Sequence, residues 1–306
     1  MIDIKDFERH TSFKPSKRIS IEEKKEWERI FSSLRSGAIL AGTVMGNDTV
    51  MMPDGEEKLA LTIIQYRIKI IIPYDEVWYD SKKCPPPHVI RSMTGAHVDY
   101  VITGIRMDGE CCIASRKRAL TIRRRSFLKL PFKSGKRVTC NVIAVGCAKA
   151  LCNCGGFDIL LGAQDISYGM IPDLKECMHT GEEHEVILKS YDEKTHQLKI
   201  SIKEAKPHPF DGAEQRHPVN CRRASVITGK YDGGVFCKLE NELDCLCSYL
   251  PEQNALDFHI GDRVVIVIRK YNYERKLVFG RILARWSVKM MRGAAVVRQR
   301  PSEIRK

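Results

Sequence analysis

The chain has 306 residues, 43% of them hydrophobic and 29% charged. That length holds two or three domains and enough apolar surface to build cores without staples, and the composition excludes disordered and collagen-like classes. Net charge is +13, and no apolar run approaches the ~20 residues of a membrane helix.

The N-terminus mixes acids and bases and has no apolar h-region, so export is not expected. The 12 cysteines are then read as reduced thiols of a cytoplasmic protein. Residues 1–36 form an N-terminal arm and helix. Ser20 with Glu23 makes a capping box, and Trp27, Ile30, Phe31 and Leu34 come next as one apolar stripe. Gly37 stands at the C-cap. Core packing is the expected task of Trp27, with the helix lying across the mouth of the first β unit.

After Gly37 the pattern turns to short β-runs, around residues 41–45, 59–63 and 68–73, with a turn at Asp54-Gly55. A long internal repeat then emerges. Gly95, Gly181 and Gly261 each precede a β-branched run, a polar turn and a closing strand. The turns fall at Met107-Asp108-Gly109, Asp192-Glu193-Lys194 and Asn272-Tyr273-Glu274. Three units of this size fit five-stranded barrels of the oligonucleotide-binding (OB) type. The predicted architecture is mainly β: three tandem OB barrels with an N-terminal helix and connecting helices. Its boundaries are 37–130 for the first, divergent unit with a basic connecting helix, 131–206 for the second, 207–220 for an extended proline-bearing linker, 221–284 for the third, and 285–306 for a basic tail.

Charge is concentrated. Residues 116–137 hold ten bases and no acid, and residues 285–306 hold seven bases against Glu303. Such blocks attract phosphate through counterion release. Arg116, Lys117, Arg118, Arg123, Arg124 and Arg125 are the candidates on the helix, while Leu120 and Phe127 share its apolar face. A solvated helix face and a frayed tail would explain the blocks without a ligand.

The second unit carries Asp165-Ile166-Ser167-Tyr168, Pro172, Gly181, Val186-Ile187-Leu188, Tyr191-Asp192 and Ile200-Ser201-Ile202-Lys203. This resembles the RNA-binding repeat of bacterial ribosomal protein S-one. With three repeats, the chain is similar to the short homologues that phages and mobile elements carry. The resemblance implies single-stranded RNA bound on a barrel face bearing two aromatics, a His, an Asp and an Arg. In the second unit the aromatic positions fall near Ala148 and Leu151 and the His position near Gly162, and in the first unit the aromatic positions fall at Asn47 and Val50. The third unit retains Tyr231 and Phe236 around Gly233-Gly234, Tyr271 and Tyr273 around Asn272, and Arg275 and Lys276 at the Arg position, with Cys247 near the His position. Lys230 and Lys238 lie close by in sequence.

Stacked bases and neutralised phosphates need flat rings and cations, so the third unit is the expected binding unit. Its rings could equally be strand and core residues, since alternation alone does not fix which face they take. The first two units are then scaffold, or hold the ribosome or another protein. No phosphate loop, zinc-protease or nucleophile-elbow motif occurs, so catalysis, cofactors and a membrane partner are not expected. Cys152-x-Cys154 and Cys245-x-Cys247 have one intervening residue, against two to four in structural zinc sites. They suit small buried hydrophobes on one strand face. Single-stranded DNA, and a protein scaffold whose basic segments dock an acidic partner, remain the rival readings.

Overall fold

A computed structural model of the chain describes residues 2–3, 7–8, 20–52, 55–80, 85–106, 111–169, 171, 173–240, 243–251 and 257–285. Asp54, the turn at 107–109, Pro172 and the basic tail beyond Arg285 lie outside the described residues. The chain divides into two compact units: residues 1–166 with 171–205, and residues 167–170 with 206–306.

In the first unit, the short strands β1 (Ile2–Asp3) and β2 (Phe7–Glu8) add to the edges of a larger sheet. Helix α1 (Ile21–Ser36) starts where the Glu23 N–H donates to Ser20 Oγ, and it ends at Gly37 with φ +72°. Trp27 and Ile30 are buried in the core beneath it. Ser33 pins the helix: its Oγ accepts the Ile102 N–H at 3.0 Å and donates to the Ala38 carbonyl at 2.6 Å.

The sheet continues with β3 (Leu40–Met51), β4 (Glu57–Gln65) and β5 (Ile68–Pro73), then β6 (His97–Arg106) and β7 (Cys111–Ser115) after the short helix α2 (Pro87–Arg91). β5 and β7 run parallel, and β3 also pairs β6, so the strands curl round one core. Helix α3 (Arg116–Leu128) leaves directly from β7, capped by Ser115 Oγ on the Arg118 N–H.

The second OB-type sheet comprises β8 (Arg137–Val145), β9 (Lys149–Cys154), β10 (Phe157–Gly162), the short helix α4 (Ala163–Ile166), β11 (Glu183–Asp192) and β12 (Gln197–Ser201). Among the described residues β10 and β12 do not pair, and a cavity of about 620 Å³ opens between them, lined by Leu160, Gln164 and Lys199 among others. β10 is held toward α3 instead, where Asp158 receives both Arg116 and Asn153. The two sheets of this unit share a core. Ile143 and Ala144 of β8 belong to the apolar cluster of the first sheet, and Leu151 of β9 packs against it.

The second unit of the chain holds helix α5 (Ala213–Arg216) and strands β13 (Arg222–Tyr231), β14 (Gly234–Lys238), β15 (Asp244–Ser248), β16 (Arg263–Asn272) and β17 (Leu277–Arg285), which form a closed barrel. β15 and β17 close it in parallel. The predicted mainly β, three-sheet OB architecture is therefore present, with closure differing from sheet to sheet.

The repeat read from three glycines is a repeated backbone clamp. Gly95, Gly181 and Gly261 adopt φ of +88°, +91° and +92°. Their N–H groups donate to the carbonyls of Val44, Val142 and Ile227 at 2.8, 2.9 and 2.8 Å. The same three partners return the bond, their N–H groups donating to the carbonyls of Ala96, Glu182 and Asp262. A bulge comes immediately after in all three first strands, at Val44/Gly46, Val142/Ala144 and Ile227/Gly229. Only glycine takes this φ without strain, which is why the signal survived in the sequence. In the first unit two clamps abut: a Cβ on Gly181 would stand 2.3 Å from the Gly95 carbonyl oxygen.

The cysteine pairs face inward. Cys152, Cys154, Cys245 and Cys247 are buried, and burial pushes the Cys154 thiol up to about 12. Among the described residues no three metal-ligating side chains come together, and no helix is long and apolar enough to cross a membrane.

Candidate nucleic-acid interface

The clamp and bulge align the three sheets residue by residue. Opposite the bulge sit Thr62 in the first, Leu151 in the second and Phe236 in the third. Thr62 is buried and donates to Asp48 Oδ2 at 2.6 Å. Lys69 also holds that carboxylate at 2.7 Å, and the two contacts keep it below the usual carboxylate range. Leu151 packs against the first sheet's core. Phe236 is 36% exposed. The same position is thus polar and covered, apolar and docked, or aromatic and open.

Strand alternation on the third barrel turns Val235 and Cys237 inward, leaving Phe236 on the outer face. Its ladder partner on β15 is Leu246, whose partner on β17 is Phe279, whose partner on β16 is Lys270. These four residues form one row round the barrel. Phe236 and Phe279 are two strand spacings apart, about 9–10 Å. Lys270 Nζ lies 5.0 Å from the Phe279 ring centre. One register step away, Tyr231, Gly234, Ser248 and Arg281 form a second row. Arg281 is exposed and has no carboxylate partner among the described residues.

Tyr231 and Phe236 meet with ring centres 5.5 Å apart and planes at 55°. The glycines between them serve the tyrosine. A Cβ on Gly234 would lie 2.8 Å from the Tyr231 hydroxyl and 2.0 Å from the Cys247 carbonyl. Gly234 therefore lets the Tyr231 ring lie down on the hairpin. Partial desolvation holds that phenol above its ordinary value, so it stays a neutral donor at physiological pH.

The other predicted residues divide. Tyr271 is half-buried and its hydroxyl donates to the carbonyls of His217 at 2.6 Å and Ala213 at 3.2 Å. Burial pushes it up to about 12. Tyr273 is exposed and its hydroxyl bonds Glu214. Both rings pack edge-on to Phe210. They seat residues 206–217 on the barrel, so the stretch predicted as an extended linker is docked through Phe210, and Tyr271 is committed to that seat. Arg275 closes the β16–β17 turn through its N–H to Asn272 Oδ1. Lys276, at φ +50°, approaches Asp211 at 3.9 Å. Lys230 is exposed beside Tyr231, and Lys238 lies across the ladder from Asp244.

On the basic helix, three of the predicted arginines have partners within the chain. Arg116 is buried, 1% exposed, and binds Asp158 through both nitrogens at 2.8 and 2.7 Å, with a further bond to the Val77 carbonyl. Arg123 clamps Asp99 at 2.7 and 3.2 Å. Arg124 lies over the rings of Tyr79 and Phe157, at 3.6 and 4.5 Å, and donates to the Gly156 carbonyl. Arg116 and Arg124 tie the first two sheets together, and Arg123 ties the helix to β6. Arg118 and Arg125 are exposed, and Lys117 partly so.

Comparison with curated proteins returns one ribosomal protein repeatedly. Small ribosomal subunit protein bS1 of Rickettsia typhi is 30% identical over 97 residues, 32% of this chain and 17% of that protein. The bS1 of Neisseria meningitidis serogroup B is 21% identical over 267 residues, 83% of this chain and 44% of its own length. The chain is similar to proteins of the S-one type. It spans less than half the length of these curated relatives. A 4-hydroxy-3-methylbut-2-enyl diphosphate reductase of Clostridium acetobutylicum also matches, 32% identical over 95 residues, 30% of this chain and 14% of that enzyme. No family model matches.

On the third barrel, the sequence reading missed Phe279, Lys270 and Arg281. Phe279 alternates with buried Val278 and Gly280, a signal that becomes usable once β17 is known to lie next to β15.

Proposed function

We propose that this chain binds single-stranded RNA on the outer face of its third barrel. The observation that carries the reading is the open row of Phe236, Leu246, Phe279 and Lys270, with Tyr231 tilted against Phe236. Phe236 and Tyr231 supply stacking surfaces and Phe279 extends them. Lys230, Lys270 and Arg281 meet phosphates, and Arg118, Arg125 and Lys117 add attraction that reads no sequence. The bS1 relatives support messenger handling at the ribosome as the setting.

Anisotropy of the full chain with fluorescent oligo(U) tests this. Affinity falls steeply with salt. Phe236→Ala weakens the salt-resistant part by about 5- to 150-fold, the worth of one stacked base at ~1–3 kcal/mol. An oligo(dU) arm reports whether the 2′-hydroxyl is read. Wild-type affinity in Phe236→Ala at high salt would remove stacking from the mechanism.

A further inference from the structure

Where helix α3 runs into the second sheet, the chain leaves an apolar surface outside the aromatic row. Leu128, Leu130 and Phe132 are 43%, 61% and 38% exposed. They edge a groove of about 310 Å³ whose floor includes Phe127, Val138 and Leu188. The groove is held in shape. Gly135 N–H donates to the Leu188 carbonyl at 2.8 Å, Leu188 N–H donates to the Lys136 carbonyl at 3.0 Å, and Ser134 Oγ donates to the Lys189 carbonyl at 2.9 Å. The Phe132 ring rests 6.4 Å from Tyr191. Monomer surfaces rarely hold several large apolar side chains rigidly in solvent without a use.

The helix end and connector beside this groove carry bases. Lys129, Lys133 and Lys136 are exposed and have no carboxylate partner among the described residues. Arg137 nearby faces Glu185 at 3.6 Å. Residues 116–137 contain no acid at all.

We propose that this groove docks an acidic protein segment through apolar anchors. Aliphatic Leu128 and Leu130 offer no flat face to a base, so a nucleic acid would use the lysines and leave the leucines wet. A segment bearing Leu or Phe between carboxylates uses both: its anchors dry the groove, and its acids meet three cations that now lack carboxylate partners. Helix and groove lie in the first unit, and the aromatic row belongs to the second.

The test uses the full chain and a fluorescent peptide of Asp and Glu residues carrying Leu and Phe anchors, read by anisotropy. A twin with every anchor changed to Ser binds at least about tenfold more weakly, as for a lost apolar hot spot. Leu130→Asp, at an exposed position, lowers peptide affinity by at least about tenfold, and Leu128→Ser lowers it in the same direction. Both variants bind oligo(U) as the wild type does, and Phe236→Ala binds the peptide as the wild type does. Equal binding of peptide and twin would reduce the groove to charge alone and overturn the proposal. So would joint loss of peptide and oligo(U) in Leu130→Asp, which would make the groove an RNA surface.

Discussion

The second and third OB sheets share the same glycine clamp, the same bulge and the same strand order, yet put their corresponding faces to different uses. In the second, Leu151 packs on the neighbouring core, and Arg116 with Asp158 locks β10 to the helix beside it. In the third, Phe236 occupies that position and stays in solvent. The same face of this fold is packed in one sheet and open in the other, and the side chain opposite the bulge differs with it.

The largest effect expected from breaking this comparison is at Arg116. Arg116→Met leaves the Asp158 carboxylate, 14% exposed, without its bidentate partner. Losing one half of a buried pair costs about 3–5 kcal/mol. Hydrogen exchange should show β8 to β12 loosening while β13 to β17 keep their protection. The double variant Arg116→Met/Asp158→Leu should recover most of the loss. If both groups of strands respond equally, the two-unit description fails.

The clamp glycines come next. Gly181→Ala and Gly261→Ala both place a side chain at φ near +90°, a strain of ~1–2 kcal/mol. Space differs. The Gly261 position is open, whereas at Gly181 a Cβ meets the Gly95 carbonyl. Gly181→Ala should therefore lower the urea midpoint of its unit clearly more than Gly261→Ala lowers that of the other. Equal shifts would show that the abutting clamps have room to part.

Exchanging the face residues sharpens the functional half. Phe236→Leu copies the second sheet's residue and should cost oligo(U) affinity ~1 kcal/mol or more, about fivefold. Leu151→Phe should gain none, because its site is packed, and should instead lower stability through overpacking by ~1–3 kcal/mol.

The smallest expected effect is a pH dependence confined to the third barrel. His217 is buried and its Nδ1 accepts from Arg223 Nε at 3.1 Å. Desolvation first, then the positive charges of Arg223 and Arg216, hold its pKa below the ordinary value, against a small opposing pull from Glu240. The unfolded chain then takes up the proton first. The stability that His217 contributes as the neutral imidazole is complete above the unfolded value of ~6.5 and is lost as pH falls from there through the lower folded pKa. Urea midpoints of His217→Gln and the wild type should converge on acidification. A constant gap down to acid pH would exclude the histidine as the source.

Much of this was legible because local rules carry it. The Ser20 cap, the Trp27–Ile30 stripe and the Ser115 start of α3 depend on neighbours within one turn of helix. The three glycines were legible because their φ admits almost no other residue. The functional face was legible only in part. Tyr231 and Phe236 were singled out, but Tyr271 reads alike and anchors Phe210, and Phe279 belongs to the row without any local mark.

A mainly β chain of three repeated units is written into the order of residues, because alternation, capping and left-handed glycines act over a few positions. Which cations are free and which rings are open was set by the folding of distant segments against one another. Arg116, Arg123 and Arg124 look the same in sequence as Arg118 and Arg125, and their partners Asp158, Asp99 and Phe157 lie 24 to 42 residues away or on another sheet. Burial and pairing are properties of what folds against a side chain, and no window along the chain contains them.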